Sequence, residues 1–200
     1  MHALLSLSDR IAAACQRIGR VGSWLILPLI LIITFDVITR KLPFAQGFIQ
    51  ESWLHAWLSP TRLQEFEWHL HAVIFLLAYG LAYLNGSHVR IDIWRDHRRP
   101  RTRGWLEVFG ILVFALPFCS VLVYQSWHFV VAAYVQNEGS ASLTGVPHRW
   151  IVKSFVFVGV ALLTLSILST LLRLIVYLFG DSALAQQAAR RLGVAKVLLD

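Results

Sequence analysis

The side chains of this sequence with the means to do chemistry gather where long apolar runs begin or end. Asp36 and Arg40 stand four residues apart, a spacing that puts both on one face of a helix. Glu65 and Glu67 open the next apolar run, with Trp68 directly after them, and Arg149 and Lys153 open the last one. Ionisable groups at membrane depth are costly, so they mark functional or assembly sites. Arg40 meeting Glu65 or Glu67 across two helices would form an ion-pair cluster whose simplest task is to lock helices together. A proton or ion route needs acids or histidines repeated through the bilayer. The middle of every apolar run here is Leu, Val, Ile, Phe, Ala, Ser and Thr, so the chain offers no complete path and an accessory role is expected.

Histidines open a second possibility. His69 and His71 begin the second run and His128 falls near the outer half of the third. Four-helix membrane bundles with histidine pairs include haem proteins, which keeps a haem-binding membrane anchor of a respiratory oxidoreductase as the alternative reading. There is no Gly-rich phosphate loop, no His-Glu-x-x-His and no nucleophile elbow, so no enzyme, catalytic residue, metal site or cofactor is expected. Cys15 and Cys119 lie far apart in sequence, are expected in opposite environments, and form no redox motif.

Those side chains must be positioned by four apolar segments, at about 21–39, 67–86, 105–134 and 151–179. About 20 apolar residues cross a bilayer as a helix. Three of the segments hold uncharged stretches of that length, while the first is interrupted by Asp36, which must sit near an interface. Nothing shows the alternation of a membrane barrel. The fold class expected is an all-α membrane protein: four transmembrane helices with flanking interfacial amphipathic helices. In 200 residues this leaves no room for a separate soluble domain of ordinary size.

The net charge of +7 reports topology rather than nucleic-acid binding. Thirteen Lys and Arg fall on the side holding both termini and the central loop, six of them between Arg90 and Arg103, against five on the other side. Both termini are therefore expected in the cytoplasm. No cleaved signal peptide is expected, because an organised segment precedes the first run and no Ala-x-Ala-like site follows it.

The organisation is then a cytoplasmic amphipathic segment at 1–20, a bundle at 21–180 and a cytoplasmic tail at 181–200. In the first, Leu4, Leu7, Ile11, Ala14 and Ile18 form an apolar stripe away from Arg10, Arg17 and Arg20. It is read as an interfacial helix or as an extension of span one. In the outer loop, Ile49, Trp53 and Trp57 share a helical face, which predicts a short interfacial helix ended by Pro60. The third run is too long for a perpendicular helix and must tilt, kink near Pro117 or project. Small residues, Ala78 and Ala82 in span two and Ser154, Gly159 and Ser166 in span four, suit close helix contacts.

The ordered set Glu65-Phe66-Glu67-Trp68-His69-Leu70, Gly80, Asn85-Gly86-Ser87-His88-Val89-Arg90-Ile91-Asp92-Ile93, Glu138-Gly139-Ser140 and Pro147-His148-Arg149-Trp150-Ile151-Val152-Lys153-Ser154 resembles the small membrane subunit of tripartite ATP-independent periplasmic (TRAP) transporters. Arg40 also matches a family arginine after span one, and the resemblance covers roughly 21–180. It implies a scaffold subunit of a secondary transporter in the bacterial inner membrane. Its partners would be a larger membrane subunit that moves substrate and a periplasmic binding protein that delivers it, with uptake of organic acids driven by an ion gradient. Asp36, Arg40, Glu65, Glu67, Trp68, His88, Arg90, Asp92, Arg149 and Lys153 become candidates for the subunit interface or for locking the bundle. Of these, His88, Arg90 and Asp92 would fix the cytoplasmic end of span two.

Overall fold

Proline positions decide where the long helices of this chain start and break. The computed structural model describes residues 1–42, 44, 47, 51, 53, 57–87, 97–142 and 144–192. Its principal elements are α1 (His2–Ser23), α2 (Ile26–Lys41), α3 (Pro60–Leu84), α4 (Pro100–Gly110), a π-helical turn (Ile111–Ala115), α5 (Leu116–Val135), α6 (Trp150–Phe179) and α7 (Ser182–Arg191). Pro60 and Pro100 occupy first-turn positions, where the missing N–H is not needed. Pro28 sits four residues after Trp24, whose carbonyl the proline ring cannot accommodate, and the helix breaks there into α1 and α2. Pro117 stands in the same relation to Val113, inside the π turn.

Among the described residues four helical stretches are long and apolar enough to cross a membrane: His2–Lys41, Pro60–Leu84, Pro100–Val135 and Trp150–Phe179. The all-α, four-span expectation is met. The helices overrun the expected spans at several ends, and the disruption of the third comes just before Pro117. Pro60 opens α3, seven residues ahead of the expected start of span two. Ile49 of the expected outer-loop helix lies outside the described residues.

α3 and α5 end in the same way. Gly86 and Asn137 adopt left-handed conformations, with φ 65° and 46°. After α3, the Gly86 and Ser87 amides donate to Tyr83 and Ala82; after α5, those of Asn137 and Glu138 donate to Tyr134 and Ala133. These are Schellman endings, which satisfy carbonyls that would otherwise be left without donors.

α6 is the central helix, contacted by α1, α3, α4, α5 and α7. Against α3 it is set by a close approach: a Cβ on Gly159 would lie 2.8 Å from the Leu76 carbonyl oxygen. Against the third span it runs antiparallel in constant register, with Tyr134 on Trp150, Trp127 on Phe157 and Trp105 on Phe179. Val108, Ile111, Cys119, Ile167, Leu171, Leu174 and Leu178 form the largest buried apolar cluster along this seam.

α1 behaves as an extension of the first span. Its buried face is Leu5, Ser8, Ala12, Cys15, Gly19 and Gly22, a small-residue seam that lets backbones approach closely. Of the stripe expected from hydropathy, Leu7 and Ile18 are exposed. Cys15 faces the Leu162 carbonyl at 3.7 Å, and both cysteines are buried free thiols rather than in opposite environments. The tail forms α7, whose Leu184 and Ala188 cluster with Leu5 and Val176.

Candidate functional site

Charged side chains gather at the two ends of the bundle. At the first end, α3 is fastened to the segment that joins α5 and α6. Glu65, 6% exposed, accepts the Ser140 hydroxyl on one carboxylate oxygen and the Val146 amide, at 2.5 Å, on the other. Arg149 lies 3.9 Å from the same carboxylate. One turn earlier on α3, Arg62 donates to the Thr144 and Gly145 carbonyls at 3.3 and 3.4 Å. The connecting segment is also tied to itself. The Arg149 amide donates to the Glu138 carbonyl at 2.9 Å, and the Glu138 carboxylate pairs with Lys153, whose ammonium sits 4.0 Å from the Phe129 ring centroid. The connection is therefore a strap held by charge-assisted hydrogen bonds at three points.

Asp36 and Arg40 pair on α2 as their spacing predicts, with Arg40 Nε 2.9 Å from the carboxylate. Arg40 Nη2 also reaches the Pro60 carbonyl at 3.5 Å, joining α2 to the start of α3. Glu67 faces this pair closely enough for both charges to act on it, and its Oε1 is buried without a hydrogen-bond partner. Glu65 does not meet Arg40. Residues two apart on a helix point in nearly opposite directions, so Glu65 serves the strap while Glu67 faces α2. Trp68 is largely exposed.

The second end carries a knot that the sequence reading did not anticipate. Arg173, nearly buried on α6, donates to Asp9 of α1 at 3.2 Å and to the Arg191 carbonyl of α7 at 2.6 Å. Arg191 pairs with the other Asp9 oxygen. One helical turn away Ser169 donates to the Ser8 carbonyl at 2.9 Å. Three helices are thus joined through one acid and two arginines. Sequence alone offered only the charges, 164 residues apart for Asp9 and Arg173. His88, Arg90 and Asp92 lie outside the described residues.

The histidines weighed for haem go to separate settings. His69 lines a cavity of about 240 Å³ between α3 and α6, together with Phe66, Val73, Pro147 and Val152. His128 packs on Tyr124, one turn earlier on α5, and His71 is exposed. Among the described residues no group of three or more His, Cys, Asp or Glu is placed to hold a metal ion.

The span count is that of the resembled transporter subunit, residues that carry the resemblance form the α3–α6 strap, and a family model decides the matter. The model for the DctQ component of tripartite ATP-independent periplasmic transporters matches residues 29–176. The chain belongs to the DctQ family. No curated protein and no solved structure matches it. As a DctQ protein the chain is a small membrane subunit of a TRAP transporter, a transporter component with several membrane-crossing helices. Membership favours this reading over the respiratory anchor left open by the histidines. The DctQ match spans most of α2 through α6 and leaves out α1 and α7, the two elements joined to α6 by the Arg173 knot.

Proposed function

We propose that this DctQ protein is the fixed scaffold of an importer of organic acids, with uptake coupled to an ion gradient. It works beside a large membrane subunit that moves substrate and a periplasmic binding protein that delivers it. The carrying observation is where its charges go. Glu65, Arg62, Glu138 and Lys153 strap α3 to α6, Asp36 and Arg40 join α2 to α3, and Asp9, Arg173 and Arg191 join α1, α6 and α7. Groups that lock helices at both ends of a bundle suit a rigid frame against which another subunit moves.

In this reading the chain sits in the bacterial inner membrane with the Arg173 end in the cytoplasm. The 138–149 strap and the Asp36–Arg40–Glu67 cluster then face the periplasmic side, where the cluster serves the contact with the large subunit. His88, Arg90 and Asp92 take a structural role at the cytoplasmic end of α3.

Affinity capture of the chain from its native membrane in mild detergent tests the proposal, followed by uptake assays with labelled carboxylates with and without a sodium gradient. A stoichiometric larger polytopic subunit and acid uptake that depends on this chain are expected. Capture of soluble redox subunits, or uptake that survives deletion of the chain, refutes it. Arg40→Ala with full assembly and uptake would remove the Asp36 cluster from the account.

A further inference from the structure

α1 and α7 border an open groove of about 390 Å³ at the Arg173 end, lined among others by His2, Leu5, Asp9, Arg10, Gln187 and Arg191. Its one acid, Asp9, is already shared between Arg173 and Arg191, so the groove keeps a net positive charge. Arg10 is exposed and makes no hydrogen bond or ion pair among the described residues. His2 and Gln187 likewise have no partner there. An arginine with a free planar fork, flanked by further donors, is chemistry suited to a phosphate group.

Depth identifies the source of that phosphate. α3 ends at Leu84, which packs with Ala12 and Cys15 of α1, and the polar turn Asn85–Ser87 follows it. Arg10 lies five residues beyond Cys15, about 7 Å along the helix axis. The headgroup layer on each side of a bilayer is about 5–7 Å thick, so Arg10 falls at headgroup level. On the membrane side of Arg10 along α1, Ile18 and Val21 are exposed and apolar. They provide a track along which acyl chains can lie while the head group rests on Arg10. Both walls of the groove also lie outside the residues matched by the family model.

We propose that this groove is a binding site for the phosphate head group of an anionic membrane lipid, held by Arg10 with His2, Gln187 and Arg191. The volume, near that of a dozen waters, admits a phosphoglycerol head group.

The test is native mass spectrometry of the full chain, purified with any membrane subunit that accompanies it, stripped of lipid and titrated with phosphatidylglycerol, phosphatidylcholine or inorganic phosphate. Phosphatidylglycerol should bind about tenfold more tightly than phosphatidylcholine, and Arg10→Gln should abolish that preference. Arg190→Gln is the matched control, because Arg190 is exposed on α7 at the same end of the bundle, has no partner among the described residues and lies outside the groove. It should shift binding by less than about twofold. Equal losses in the two variants would mean diffuse surface attraction and overturn the site. So would the absence of a phosphatidylglycerol preference, or occupancy by inorganic phosphate at concentrations where the lipid gains nothing. Arg10 has no partner among the described residues to lose, so loss of the fold is not expected to obscure the result.

Discussion

Replacing Glu65 by alanine should release the strap over residues 138–149 while leaving the four spans in place. The glutamate accepts two hydrogen bonds, from the Ser140 hydroxyl and the Val146 amide, and has Arg149 at 3.9 Å. Hydrogen bonds to a charged acceptor contribute about 1.5–3 kcal/mol each. Taking the lower half of that range, and giving the long, partly exposed Arg149 contact little weight, the strap loses about 3–4 kcal/mol of local stability. Opening then becomes about 100- to 1,000-fold more frequent. The assay is hydrogen exchange of the peptide containing Val146 in lipid nanodiscs, because its amide is one of the groups released. Exchange there should accelerate by that factor, with peptides from the centres of α3 and α6 unchanged. Ser140→Ala should produce a smaller acceleration, about tenfold, since the Val146 bond remains. If Glu65→Ala leaves the Val146 peptide exchanging within threefold of the parent, the strap is held by something other than this carboxylate and the reasoning fails.

Further outcomes follow from packing and pairing. Gly159→Leu places a side chain against the Leu76 backbone and should lower stability by about 1–3 kcal/mol, read as an earlier midpoint of unfolding in mixed micelles; an unchanged midpoint would mean that α3 and α6 can move apart freely. Asp9→Asn leaves the nearly buried Arg173 without its acid and should cost about 2–3 kcal/mol, whereas Arg191→Gln removes a more exposed partner and should cost no more than about 1 kcal/mol. The same unfolding measurement separates them, and equal losses would contradict the ranking. Cys15 and Cys119 are both buried, so a membrane-permeant maleimide should label them slowly in the folded protein and fully after denaturation.

Local and compositional features of this chain could be read from its sequence. The four spans follow from long apolar runs, and the Asp36–Arg40 pair follows from its i, i+4 spacing, because both depend only on neighbours in the chain. Pro28 carries a break signal as well, since proline excludes the carbonyl four residues back, but the uncharged run around it has the composition of one unbroken span. α1 was harder. Its packing face, Ser8, Ala12, Cys15, Gly19 and Gly22, is made of small residues whose value is closeness rather than hydropathy, so the larger Leu7 and Ile18 defined a different stripe. The contacts that fasten α3 to the strap, and α1 to α6 and α7, join residues 75 to 182 positions apart, and charge alone does not say which of eighteen Lys and Arg meets which of eleven acids. Glu65 and Glu67 show the limit well: adjacent in motif, they serve opposite faces of one helix.

The π-helical turn at Ile111–Ala115 has a consequence for how this chain tolerates changes of length. Buried residues of the third span fall at Gly104, Val108 and Ile111 before or at the turn, and at Cys119, Ser126 and Ala133 after it. The latter three keep a seven-residue repeat, but the step from Ile111 to Cys119 is eight. A regular α-helix would carry that extra residue forward as a rotation of about 100°, swinging one half of the helix away from α6. The π turn absorbs it, so both halves keep the same azimuth toward their partner. Loss of one residue from within 111–115 is thus an indel the seam can take up by reverting to α geometry, whereas one near Ser126 would put the two halves of the helix out of phase.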